Sequence, residues 1–141
     1  MHNAGSVIAL HRCPGHRKPM TPVSHLEALT NVGLKGDMHA IEHSTRQVLL
    51  IEQEVLAALN LQPGILKENI TTSGIALMSL KRGQTLHIGS AVVQITKECS
   101  PCGRMEEIRS GLQELLRGRR GMLARVLQGG AIKVGDAITP A

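Results

Sequence analysis

Residues 84–96 read QTLHIGSAVVQIT, and this stretch decides the fold class. Two short segments rich in aliphatic and β-branched residues, 84–88 and 91–96, are separated by Gly89-Ser90, the spacing of a tight β-hairpin. Comparable β-prone segments, bounded by Gly and Pro, occur outward along the chain at 7–10, 26–32, 47–51, 69–72, 122–127 and 131–139. We therefore predict a mainly β fold that forms a closed or nearly closed β-barrel.

Two segments change from strand spacing to helical spacing. Residues 52–61 place Val55, Leu56 and Leu59 on one helical face, and this pattern stops before a Pro-Gly pair. Residues 105–116 carry apolar side chains at helical spacing throughout, which predicts one amphipathic helix packed on the core. We expect residues 1–141 to form a single domain with two or three short helices.

The composition restricts the partners that this protein can have. There is no Phe, Tyr or Trp, which excludes an aromatic cage and argues against modules that stack nucleic-acid bases on rings. The formal net charge is +5, and basic residues outnumber Glu between residues 97 and 125. An excess of this size suits a small anionic ligand or an acidic protein surface, while an RNA-associated β-domain remains a third alternative.

The N-terminal sequence and the number of cysteines indicate the cellular compartment. No apolar run is long enough to span a membrane, and the first residues lack the pattern of a signal peptide, so we expect a cytoplasmic protein. The chain has three cysteines, an odd number that suits reduced thiols used for chemistry or metal binding better than a disulfide framework.

The sequence Cys99-Ser-Pro-Cys102 lies where a strand is predicted to end and a helix to begin. The N–H groups of a helix N-terminus, together with the nearby Arg104 and Arg109, would stabilise a thiolate. Cys102 is nearer to the predicted helix start and to Arg104. We therefore predict a nucleophilic thiolate at this pair of cysteines.

An alternative use of the same cysteines is a structural zinc site. Cys13-Pro-Gly-His16 has the same two-residue gap as Cys99-Ser-Pro-Cys102. Together the two halves offer three sulfurs and one imidazole for tetrahedral zinc, in a domain without catalytic activity.

Two further polar sets are candidates for ligand binding. In Gly36-Asp37-Met38-His39, a Gly turn can direct a carboxylate and an imidazole into one cleft. Arg46 precedes a strand, and the run Lys67-Glu68-Asn69-Ile70-Thr71-Thr72 adds a cation, an amide and hydroxyls. Such groups suit a phosphate or a polar heterocycle.

Six segments, taken in order, resemble a MOSC domain, the module named after the C-terminal part of molybdenum cofactor sulfurase. They are GLKGDMHA at 33–40, RQVLLIEQEVL at 46–56, KENITTSGI at 67–75, LKRGQTLHIGSAVVQIT at 80–96, ECSPCGRM at 98–105 and RRGMLARVLQGGAIKVGD at 119–136. The resemblance implies a β-barrel of the MOSC or pyruvate-kinase-barrel type and an association with molybdenum-cofactor or metal–sulfur chemistry.

The resemblance also implies roles for particular residues. The marker cysteine of the family matches Cys102, which would accept sulfane sulfur as a persulfide from a pyridoxal-phosphate enzyme of the cysteine-desulfurase type and deliver it to a metal–sulfur or molybdopterin centre. Cys99 would assist as a second thiol, and Arg104 would hold the anion. The residues expected to contact molybdopterin, if it binds, are Gly36, Asp37, His39, Arg46, Glu68, Asn69, Thr71 and Arg120. Without aromatic rings a pterin would rest on arginine planes and aliphatic walls, which favours the sulfur-carrier alternative; nucleic-acid and membrane partners are not expected.

Overall fold

The computed structural model of the protein describes residues 5–141, and most of these residues belong to strands or to the turns between them. In chain order the elements are β1 (Gly5–Arg12), β2 (Thr21–Val23), β3 (His25–Leu29), β4 (Gly33–Leu34), β5 (Val48–Glu52), α1 (Gln53–Ala58), β6 (Ile70–Ser73), a 3₁₀ turn (Leu77–Ser79), β7 (Thr85–Ile88), β8 (Ala91–Glu98), α2 (Met105–Ile108), α3 (Leu112–Leu115), β9 (Met122–Gln128), β10 (Gly130–Lys133) and β11 (Ala137–Pro140). None of these helices is long and apolar enough to cross a membrane. That residues 1–141 form one domain stays a prediction, because residues 1–4 lie outside the described part.

Seven strands form a closed barrel in the order β1-β11-β7-β8-β9-β5-β6, with β6 returning to β1. Neighbouring strands are antiparallel except β5 and β6, which are parallel and are joined by a crossover that contains α1. A small sheet of β10, β3 and β4 lies beside the barrel. The predicted mainly β fold, a closed or nearly closed barrel with two or three short helices, is confirmed: the barrel is closed, and residues 5–141 contain three short α-helices.

Strand β5 is buried on both of its faces, which explains its uninterrupted apolar sequence. Val48 and Leu50 point into the main core of the barrel, whereas Leu49 and Ile51 pack in two smaller clusters. The cluster around Ile51 is completed by side chains of α1, α2, α3 and the loops near them: Val55, Leu56, Leu61, Leu66, Met105, Leu112 and Leu116. The helices therefore cover one outer side of the barrel, next to the loops that carry the cysteines.

The hairpin predicted at residues 84–96 is present, with Ile88 opposite Ala91 across the Gly89-Ser90 turn. Gly89 has a φ of +58°, and a Cβ atom there would collide with Asp136 and with the carbonyl of Ala131. Only glycine fits both the backbone conformation and the space.

The continuous helix predicted for residues 105–116 is wrong, because the chain breaks it into α2 and α3. Arg109 is extended, and Gly111 adopts a left-handed φ of +85°. The Glu106 carboxylate accepts hydrogen bonds from the N–H groups of Gly111 and Gln113, at 2.8 and 2.9 Å, and these donors lower the pKa of Glu106. The apolar spacing is kept across the break, so both short helices still face the same cluster.

Candidate functional site

Two neighbouring cavities lie near the cysteine loop that follows β8, and the first of them also borders β5 and β9. The first, called here the inner cavity, has a volume of about 150 Å³ and is lined by residues that include Cys99, His39 and Asn69. The second, the outer cleft, has a volume of about 360 Å³ and contains Cys102 and Arg104. Lys67 and Arg120 line both.

The Gly-Asp-x-His segment forms a buried carboxylate that holds an imidazole. Asp37 Oδ2 accepts hydrogen bonds from the backbone N–H of His39 at 2.9 Å and lies 3.1 Å from His39 Nδ1. Its Oδ1 accepts the N–H of Cys13 at 2.6 Å. Burial alone would raise the pKa of Asp37, but the hydrogen bonds from His39 and Cys13 outweigh it and the pKa is lowered. Asp37 is therefore an ionised acceptor at neutral pH and fixes the orientation of His39.

Asn69 connects this carboxylate to the barrel. Its Nδ2 donates to Asp37 Oδ1 at 2.9 Å and to the carbonyl of His11 at 3.2 Å, while its Oδ1 accepts the N–H of Leu49 at 3.0 Å. Both amide hydrogens are thus used within the protein. Asn69 lines the inner cavity, as the predicted ligand-binding role requires, and it also positions Asp37.

Arg120 is a buried cation without a complete set of partners. Its residue is only 6% exposed, and Nη2 donates to the carbonyl of Leu66 at 2.7 Å. Nε and Nη1 are buried and have no hydrogen-bond partner among the described residues. A buried guanidinium in this state is expected to take up an anion. Arg46 in the inner cavity and Lys67 in both cavities add positive charge.

The two cysteines differ in their surroundings. Cys102 is exposed and shares the outer cleft with Arg104. Cys99 is buried and packs against Leu49 and Leu123 in the inner cavity. The structure therefore assigns the two thiols to different cavities on either side of Arg120.

Arg109 does not contribute to the thiolate environment as the sequence suggested. Its guanidinium donates to the carbonyls of Leu59 and Asn60, at 2.6 and 3.4 Å. The stabilisation expected from a helix N-terminus next to Cys102 is also small, because α2 has only four residues. The cations that share the outer cleft with Cys102 include Arg104, Arg120 and Lys67. The sequence indicated Lys67 as a cation for ligand binding but not its position beside Cys102.

Three residues expected to contact a cofactor lie outside both cavities. Glu68 is completely buried and accepts hydrogen bonds from the backbone N–H groups of Gly64 and Leu66. Thr71 is also buried and donates to Glu68 at 3.5 Å. Gly36, with a φ of +84°, forms the turn that leads into Asp37. From these positions the three residues support the loops around the cavities.

The structure gives no support to the alternative zinc site. Among residues 5–141, no group of three or more His, Cys, Asp or Glu side chains converges in a way that could hold a metal ion. Cys13 directs its sulfur to the carbonyl of Gly15, and His16 Nε2 lies 3.1 Å from Arg104 Nη2. Cys99 packs against Leu49 and Leu123 and lines the inner cavity, whose lining includes neither Cys13 nor His16.

The buried imidazole of His11 predicts a dependence of stability on pH. The residue is 8% exposed, its Nδ1 has no partner among the described residues, and burial lowers its pKa although the charge of Glu68 opposes this. The unfolded chain therefore binds the proton more readily, and the free energy of unfolding should fall as the pH drops below 6.5. Urea unfolding from pH 8 to 5 should show a steeper loss in the wild type than in His11→Asn, by at most about 1.4 kcal/mol per pH unit. Equal slopes would contradict this assignment.

Comparison with known proteins agrees with the barrel fold. The sequence profile of the MOSC domain matches residues 35–139. The chain belongs to the MOSC domain family and is thus a molybdenum-cofactor-related domain. A search of curated proteins finds no match.

Solved structures from three bacteria share the fold. The YuaD protein from Bacillus subtilis has a TM-score of 0.83 at 21% identity, with 96% of this chain and 94% of that chain covered. YiiM from Geobacillus stearothermophilus has a TM-score of 0.78 at 18% identity, covering 97% and 75%. YiiM from Escherichia coli has a TM-score of 0.70 at 20% identity, covering 96% and 69%. At these identities the similarity shows the fold.

Proposed function

We propose that this MOSC domain is a sulfur carrier that works through Cys102. The thiol accepts sulfane sulfur as a persulfide from a pyridoxal-phosphate enzyme of the cysteine-desulfurase type and passes it to a metal–sulfur or molybdopterin centre. The observation that carries the proposal is an exposed cysteine in a cleft whose wall contains the buried, incompletely partnered guanidinium of Arg120.

Loading of Cys102 needs no oxidant or reductant. The Cys102 thiolate attacks the outer sulfur of the protonated persulfide on the donor. A new S–S bond forms at Cys102, the S–S bond of the donor breaks, and the donor cysteine leaves as a thiolate. Arg104, Arg120 and Lys67 line the same cleft as Cys102 and can pair with the anionic sulfur that takes part in the exchange.

The cationic residues of the inner cavity also fit one part of molybdopterin, its phosphate. Arg46, Lys67 and Arg120 line a space of about 150 Å³, and Arg120 has buried donors to spare. This volume is below the roughly 300–1,000 Å³ of pockets that enclose whole ligands of drug size, so the pterin ring would extend beyond it. When bound, the cofactor would supply the molybdenum centre at which sulfur is used. The residues of this chain would hold its phosphate and keep a cysteine beside it.

The compartment that we propose is the cytoplasm. The three cysteines of the chain are all free thiols, and persulfide transfer requires thiols that are not tied up in disulfides. The proposed partners are a sulfur donor protein and an acceptor with a metal–sulfur or molybdopterin centre. No nucleic-acid or membrane partner is proposed.

The test is mass spectrometry after incubation with a cysteine desulfurase and cysteine. The wild-type protein should gain the mass of one sulfur atom on the peptide that contains Cys102, and Cys102→Ser should lose this adduct. Cys13→Ser is the matched control, because Cys13 is buried and lines neither cavity, so its loading should stay at the wild-type level. An unmodified wild type, or equal loading of Cys102→Ser, would show that the proposal is wrong.

A further inference from the structure

We infer that Cys99 is a second sulfur acceptor, which takes the outer sulfur from a persulfide on Cys102 and carries it into the inner cavity, with His39 as its general base. This step rests on the proposed loading of Cys102. It assigns the exposed thiol to loading and the buried thiol to delivery.

The first argument is the chemistry around Cys99. Cys99 and His39 line the same small cavity, and the imidazole is held by the buried carboxylate of Asp37. Because Asp37 is ionised and has no proton to give, His39 Nδ1 must be the donor in this contact. The other ring nitrogen, Nε2, then carries the lone pair, and it has no hydrogen bond within residues 5–141. A cysteine, an imidazole and an orienting carboxylate are the parts of an activated thiol nucleophile.

The second argument is the position of Arg120. Its side chain lines the inner cavity with Cys99 and the outer cleft with Cys102. Two of its buried nitrogens have no hydrogen-bond partner within residues 5–141, so the guanidinium can stabilise a thiolate that forms in either cavity. Sulfur transfer between the two cysteines produces such a thiolate at Cys102.

The third argument is reach. Cys99 and Cys102 are three residues apart, so their Cα atoms are separated by at most about 11 Å. Cys99 is anchored, because its backbone N–H donates to the carbonyl of Gly121 at 2.9 Å. The other end of the loop is open: Cys102 is exposed, and the space around Gly103 contains no atom within 4 Å of an added Cβ. The exposed side chain of Cys102 can therefore change rotamer, while the carbonyl of Cys102 stays bonded to the N–H of Met105 at 3.0 Å.

The transfer balances without any additional reagent. His39 Nε2 removes the proton of the Cys99 thiol, and the resulting thiolate attacks the outer sulfur of the protonated persulfide on Cys102. The S–S bond at Cys102 breaks while an S–S bond forms at Cys99, and the outer sulfur keeps its proton. Cys102 leaves as a thiolate next to Arg120, with the positive charge on the His39 imidazolium compensating it.

The experiment follows the sulfur atom in time. The protein is loaded with a cysteine desulfurase and cysteine, alkylated at intervals and digested with trypsin, which releases residues 98–104 as one peptide that contains both cysteines. Fragmentation of this peptide then locates the added sulfur. In the wild type the sulfur should appear first on Cys102 and later on Cys99. In Cys99→Ser it should stay on Cys102, and in Cys102→Ser it should reach neither residue 99 nor residue 102.

A histidine variant tests the role of the base. In His39→Gln the appearance of sulfur on Cys99 should slow by about 100-fold or more relative to the loading of Cys102 in the same sample. The matched control is His25→Gln, an exposed histidine on β3 that lines neither cavity, and it should transfer normally. Unchanged thermal unfolding of both variants would exclude a folding defect.

The outcomes separate this inference from the proposed function. If Cys102 acquires no sulfur even in Cys99→Ser, the carrier function itself is wrong. If Cys102 is loaded but the sulfur never reaches Cys99, only the second step is wrong. Formation of a Cys99–Cys102 disulfide with release of sulfide would also overturn it, because Cys99 would then have attacked the inner sulfur.

Discussion

Replacing Glu68 by alanine is expected to lower the free energy of unfolding by about 3–5 kcal/mol. The side chain is completely buried, and its two oxygens accept the backbone N–H groups of Gly64 and Leu66 at 2.9 and 3.1 Å. Alanine would leave both donors buried without an acceptor, and each such group costs about 1–3 kcal/mol. The segment that these bonds hold carries Lys67, so sulfur loading of Cys102 should decrease as well.

Urea unfolding of Glu68→Ala, Glu68→Gln and Glu114→Ala measures this effect. Glutamine retains one oxygen acceptor and should lose less stability than alanine. Glu114 is exposed and pairs only with Arg117 on the surface, so its removal should cost about 0.5 kcal/mol or less. A loss below about 1 kcal/mol in Glu68→Ala would mean that the loop does not depend on these bonds.

Leu50→Ala should reduce stability by about 2–5 kcal/mol, because it opens a hole in the centre of the barrel. Leu50 is completely buried on β5, between the parallel neighbour β6 and the antiparallel neighbour β9. Strands bonded on both sides cannot move far to fill the space, so most of the cavity should remain.

Leu115→Ala is the control for this prediction. Leu115 belongs to α3 and is 44% exposed, so it loses little contact when truncated and its cost should stay below about 1 kcal/mol. Both variants should keep the urea m-value of the wild type if the barrel still unfolds in one step. Similar losses for Leu50→Ala and Leu115→Ala would contradict a closely packed barrel interior.

The barrel was predictable because its signals are local. Gly89-Ser90 between two β-prone segments specifies a hairpin, and the apolar run from Val48 to Ile51 specifies a strand buried on both faces. The break between α2 and α3 was not predictable from apolar spacing. It depends on the Glu106 carboxylate reaching two backbone N–H groups beyond Gly111, a contact that leaves the hydrophobic pattern intact.

The candidate site was predictable only in part. The sequence pointed to Cys102 and Arg104 in one place, and the structure brings them into one cleft. It could not assign Asn69 its contact with Asp37, because these residues lie on loops that are distant in sequence. Nor could it separate the environments of the two cysteines, since the cavity that each thiol lines depends on where β8 ends and where β9 begins.

The pairing of β1 with β11 has a consequence for how the chain is made. Gly5 lies opposite Ile138, so the strand pairing that closes the barrel joins the two ends of the described chain. At about 5–20 residues per second, a ribosome adds β11 on the order of ten seconds after β1. Through that interval the nascent sheet has unpaired edges, which are sites of mispairing with other chains. Protection of the nascent chain against mispairing, by a chaperone or by its own loops, therefore matters most before β11 is synthesised.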